Sequence, residues 1–135
     1  MFNLEKPLNI FERFFYIYYC MITKLYEYNM YNKRLREIRH DTVSLINEYK
    51  GKNVKFFIKI KLGRNFREFQ YNEIVHSIKY DNMTGFFTID FKKDDTYIIV
   101  KKDEILFHER YERIPKRVLH KGETLTELID KIRKI

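Results

Sequence analysis

At Gly51 the hydrophobic period of the chain changes, and no other feature constrains the fold as much. Before it, apolar residues recur at helical spacing. After it, from Val54 to His108, aromatic or aliphatic residues alternate with lysine, arginine and other polar residues at the period of a strand with one covered face. The two periods occupy successive blocks of sequence, which predicts an α+β chain in which helices and an antiparallel sheet are segregated.

The helical block reads as two helices. Asn9, following Pro7, is placed to cap the first, and Glu12 three residues on completes a reciprocal capping pattern. Phe11, Phe14, Phe15, Tyr18, Ile22 and Leu25 recur at helical spacing over residues 10–28, but Tyr16, Ile17, Tyr19 and Met21 make the remaining faces apolar too. Such a helix needs burial on more than one side. Packing on the sheet and the next helix meets that need; a homodimer contact, a protein partner or a shallow membrane anchor through residues 10–28 also meets it. The second helix, Asn32–Tyr49, aligns Leu35, Ile38, Thr42, Leu45, Ile46 and Tyr49, and its first half carries Lys33, Arg34, Arg36, Arg39 and His40.

The strand-like block predicts a five-stranded antiparallel meander: Val54–Lys61, Phe66–Tyr71, Ile74–Tyr80, Phe87–Phe91 and Tyr97–Val100, with Asp103 to Phe107 extended after it. Turns fall at Leu62–Asn65, Asp81–Gly85 and Lys93-Asp94-Asp95. Ile74, His76 and Ile78 share one strand face, which makes His76 a core or half-buried histidine, while His108 and His120 lie among charged residues and read as solvated. The charged tail Glu112–Lys121, with Pro115, reads as a surface loop. Thr124-Leu125-Thr126-Glu127 has the spacing of a capping box, opening a last helix with the stripe Leu125, Leu128, Ile129 and Ile132. A single domain over 1–135 follows, helical over 1–50, sheet over 54–108, loop and helix over 112–135. A bent sheet of this length can close into a small barrel.

Composition narrows the partners. With 27 Lys and Arg against 19 Asp and Glu, the net charge of +8 favours anionic partners. The excess is spread along the chain, so any basic footprint must be assembled by folding. The chain contains no alanine and only four glycines, while Ile, Lys, Asn, Tyr and Phe abound, a bias expected of a viral, mobile-element or low-GC genome. The single cysteine, Cys20, excludes an internal disulfide, fits a reducing cytoplasm and reads as a buried, inert thiol. The longest apolar run is far shorter than the ~20 residues of a transmembrane helix.

No catalytic constellation stands out. Asp81, Asp90 and Lys92 could serve as a Mg²⁺-dependent nuclease core, since two carboxylates can hold the ion and a lysine can neutralise the transition state, but Asp81 falls where a turn is expected. The histidines lack paired metal-ligand spacing and no glycine-rich phosphate loop is present, so neither a metal nor a cofactor is expected. What remains is the basic and aromatic strand. Lys55, Phe57, Lys59 and Lys61 share one strand face and the following turn adds Arg64 and Arg67, so cations would meet phosphates while Phe57 stacks on an unpaired base. Lys33, Arg34, Arg36 and Arg39 would extend the surface. The expectation is an intracellular, non-enzymatic nucleic-acid-binding protein of weak sequence specificity, with a protein-interaction module as its rival.

Overall fold

The computed structural model of the chain describes residues 9–93, 95–109 and 111–135; Pro7 and Asp94, invoked above, lie outside the described residues. It is an α+β protein with elements α1 (Ile10–Tyr49), β1 (Asn53–Leu62), β2 (Asn65–Tyr80), β3 (Phe87–Phe91), β4 (Tyr97–Val100), β5 (Ile105–His108), β6 (Lys116–Lys121) and α2 (Glu123–Arg133). Two compact units emerge, Met1–Arg36 and Glu37–Ile135.

The described part of the first unit is helical from Ile10 onward. Asn9 caps it as expected: its Oδ1 accepts from the Glu12 amide at 2.8 Å, and Glu12 Oε2 accepts from the Asn9 amide at 3.2 Å. The two expected helices are one 40-residue helix, because residues 29–32 contain neither proline nor glycine and nothing interrupts the ladder of backbone bonds. Its aromatic stretch is exposed, from Phe11 at 87% to Tyr31 at 53%. Cys20 is half-exposed rather than buried.

In the second unit, six antiparallel strands form a closed barrel in sequence order, with β6 pairing back onto β1. Alternation along each strand sends Val54, Phe56, Ile58, Ile89, Ile98 and Phe107 inward, all at 1% exposure or less. Phe56 is the hub. Its ring lies 5.5 Å from Tyr71 on β2, 5.9 Å from Phe91 on β3 and 4.9 Å from Phe107 on β5. The Tyr71 hydroxyl donates to Glu109 Oε1 at 2.7 Å; burial and that carboxylate together push its pKa up to about 12.

Two helical segments flank the barrel. Residues 37–49 of α1 bury Ile38, Thr42, Leu45 and Tyr49, and Gly51 ends the helix at φ +85°, a conformation that costs a residue without Cβ least. The freed Gly51 amide donates to Val75 O at 2.8 Å. The predicted apolar stripe of α2 is present, with Leu125, Leu128, Ile129 and Ile132 buried beside β1. Its capping differs from expectation. Gly122 is the N-cap, with no side-chain cap, and its amide donates to Lys55 O at 2.7 Å. Glu127 instead accepts from the buried Tyr49 hydroxyl at 2.6 Å and pairs with Lys131 at 3.2 Å. Lys131 also reaches Glu48 at 2.6 Å, and these bonds hold its ammonium pKa above the usual lysine range.

The sheet departs from expectation in three places. The segments 66–71 and 74–80 are one 16-residue strand, β2, that pairs with β1 in its first part and β3 in its last. A β-bulge between Val75 and Ser77 switches its faces, so Val75 and Ile78 are buried while His76 is exposed. The expected loop 112–121 contains β6, which closes the barrel. Only Val118 of β6 is buried, so it has no alternating pattern to betray it.

These environments separate the costs of two aromatic truncations. Phe56→Ala should destabilise the protein by about 3–5 kcal/mol, whereas Phe66→Ala, on an exposed strand end, should stay within about 0.5 kcal/mol. Denaturant unfolding of the two variants checks this; comparable losses would contradict a core centred on Phe56.

Candidate nucleic-acid interface

The basic residues of β1 and β2 lie on a two-stranded ribbon. β1 pairs with β2 through ten residue pairs, from Asn53 opposite Ile74 to Leu62 opposite Asn65, but with β6 only from Phe56 to Ile58. β2 meets β3 only from Val75 onward. Among the described residues the hairpin from Lys59 to Glu68 therefore has no third strand on either edge, and apart from half-buried Ile60 every residue in it is exposed. Gly63 and Arg64 form its two-residue turn. Gly63 at φ +62°, followed by a residue at negative φ, fits the II′ geometry that matches the right-handed twist of a hairpin.

The register sorts the ribbon into two faces. Lys55, Phe57, Lys59 and Lys61 share the outer face with their partners Asn72, Gln70, Glu68 and Phe66. The ammonium of Lys59 lies 4.8 Å from the centre of the Phe66 ring, a cation–π contact. The opposite face carries Ile60, Leu62, Phe69 and Arg67, whose guanidinium lies 5.7 Å from the Phe69 ring. Arg67 thus does not join the lysine face, and Arg64 occupies the tip. Four cations against Glu68 give residues 59–68 a net charge of +3.

Phe57 does not present an open face. It is half-buried, with its ring edge-on to His120 at 6.3 Å. The exposed aromatic of the lysine face is Phe66, which sequence reasoning missed. Its signal was available: a two-residue turn at Gly63-Arg64 places Phe66 opposite Lys61, hence on the lysine side.

Of the helical cations, Lys33, Arg34 and Arg36 belong to the first unit and Arg39 to the second; all four are exposed.

The carboxylates considered for metal-dependent chemistry are engaged elsewhere. Asp81 accepts from the Met83 amide at 2.9 Å and the Thr84 hydroxyl at 3.0 Å, fixing the turn before β3. Asp90 accepts from Ser77 at 3.1 Å and pairs with Lys79 at 3.4 Å. Lys92 and Asp90 do share a surface pocket of about 590 Å³ with His76, Asp95, Thr96 and Tyr97. No group of three or more metal-ligating side chains occurs among the described residues, and no described helix is long and apolar enough to cross a membrane. His40 and His120 are exposed, but His108 is half-buried, stacked on Tyr97 at 4.7 Å with its Nε2 buried and unpaired.

No protein family, no curated protein and no solved structure matches this chain.

Burial, aided by nearby Lys101, holds the His108 pKa below its ordinary value of 6.5. The unfolded chain then binds this proton more readily than the folded one, so the His108 contribution should fall as pH drops through 6.5 and level off below the folded pKa. Buried Glu73 acts with the opposite sign: burial raises its pKa above 4.5, and its contribution declines as pH rises from 4.5 through the folded value. Comparing melting temperatures of the protein and His108→Gln between pH 5 and 7.5 isolates the histidine; the loss on acidification should be smaller in the variant. Equal losses would contradict this.

Proposed function

We propose that the protein binds nucleic acid through the β1–β2 ribbon, as an intracellular, non-enzymatic protein of weak sequence specificity. One observation carries the reading: a two-stranded ribbon with both edges open carries Lys59, Lys61, Arg64 and Arg67 beside an exposed phenylalanine. A strand pair of this kind is narrow enough for the major groove of a duplex, and long cationic side chains on either face can then reach the two flanking phosphate backbones. Phe66 also allows stacking on an unpaired base, at about 1–3 kcal/mol per base. Lys55 extends the lysine row toward the barrel, with half-buried Phe57 between it and Lys59 on the same face.

The contacts in this reading are to phosphates, so released counterions supply most of the affinity. If four cations engage, the slope of log K against log salt should be about −3.6 on duplex and about −2.8 on single strands. Fluorescence anisotropy with labelled single-stranded and duplex DNA and RNA over a salt series measures this, with heparin as a generic polyanion. Lys59→Glu with Lys61→Glu should weaken binding and flatten the slope by about two. Salt-independent binding, or binding indifferent to the charge reversal, would refute the proposal. Preference for single strands, lost in Phe66→Ala, would identify stacking as the main contact after charge.

A further inference from the structure

The aromatic helix of the first unit carries a second pattern beneath its general apolarity. From Phe11, a strict alternation of three and four residues runs through Phe14, Tyr18, Met21, Leu25 and Tyr28 to Asn32 and Leu35, which is a heptad seam with Phe11, Tyr18, Leu25 and Asn32 at the a positions. Charges avoid the seam. Glu12, Arg13, Glu27, Lys33 and Arg34 all fall at b or c, and only Lys24 and Arg36 flank it, at g and e. The seam residues from Phe11 to Tyr28 are at least 59% exposed. Phe11, Phe14, Phe15, Ile17, Tyr18 and Met21 line an apolar groove on the helix surface, and Phe11, Phe14, Phe15 and Tyr18 among them occupy the a, d, e and next a positions. Those four positions form the hole that receives a d-position knob from a parallel partner helix.

We infer that this helix associates with the same helix of a second copy of the chain, parallel and in register. Area supports a stable contact. At roughly 150–250 Å² per aromatic side chain, the four seam aromatics expose on the order of 500 Å² in each copy. Two copies then cover about 1,000 Å², the lower bound of a specific interface.

Two residues set the direction. In a parallel pair Asn32 meets Asn32 of the second copy, and the two amides can bond to each other, a device that fixes register at an a position. An antiparallel pair centred on the seam would bury Asn32 against Phe14 and bring Lys24 near Lys24 of the other copy. In the parallel arrangement Lys24 faces Asn29 instead. Phe15, Ile17 and Ile22 flank the seam at e and g and widen it, so the contact has room for more than two helices. This inference is independent of the ribbon's role.

The test uses the full chain. Sedimentation equilibrium should show a dimer or larger assembly at micromolar concentration. Leu25→Glu, on the seam, should reduce it to monomer, whereas Tyr19→Glu, on the outer face, should not. In a Cys20→Ser background, Tyr18→Cys should oxidise to a disulfide-linked dimer and Tyr16→Cys should not, a readout that does not depend on a variant losing its fold. A wild-type chain that stays monomeric to about 100 μM would overturn the inference, as would equal cross-linking at positions 16 and 18. A monomer that instead pellets with vesicles of mixed neutral and anionic lipid would assign the helix to a membrane surface and also overturn it.

Discussion

The second unit depends on one ring. Phe56 is fully buried on β1 and its ring packs against Tyr71, Phe91 and Phe107, so four of the six strands meet through a single side chain. β1 and β2 are long, but β4 and β5 have only four residues and supply few inward positions each. Large aromatics at the centre fill a small barrel with few residues. Its closure also needs β6, which has a single buried residue, so the pairing of Phe56–Ile58 with Val118–Lys121 leans on the core that Phe56 organises.

That closure leaves the ribbon open. Because β6 takes only the middle of β1 and β3 only the last part of β2, the tip of their hairpin has no strand partner on either edge among the described residues. An isolated hairpin is marginal in water, but this one is the continuation of two barrel strands and inherits their register. Its lysines and arginines also have a protective effect, since charged side chains on an exposed edge oppose pairing with another chain. The same cations that blunt the edge are the ones available to phosphate.

The sequence made some of this legible. The α+β division at Gly51, the Asn9–Glu12 cap, the α2 stripe and the lysine row were readable because each is a local pattern with a fixed period or spacing. Long-range events were not. The bulge at Val75–Ser77 reverses which of Ile74, Val75 and His76 is inside, and no residue there announces it. β6 answers to a partner far back in the chain rather than to its own pattern. Glu127 has the spacing of a capping residue, yet the buried hydroxyl of Tyr49 offers a stronger bond than the α2 amides. Within the candidate site, Arg67 follows the turn closely in sequence, yet its pairing with Ile60 puts it on the face opposite the lysines, a placement that only the register counted from Gly63 gives.

The helix of the first unit and the ribbon of the second answer to different physics, apolar area in one and charge in the other. The central claim is that the ribbon is where the protein meets nucleic acid. Backbone amide shifts of the ¹⁵N-labelled protein, followed while a short oligonucleotide is added at low salt, test it most directly. The account predicts shifts and broadening concentrated from Lys59 to Glu68, with Ile89, Ile98 and Phe107 unmoved inside the barrel. Changes centred on β3 to β5, or no change at saturating oligonucleotide, would contradict it.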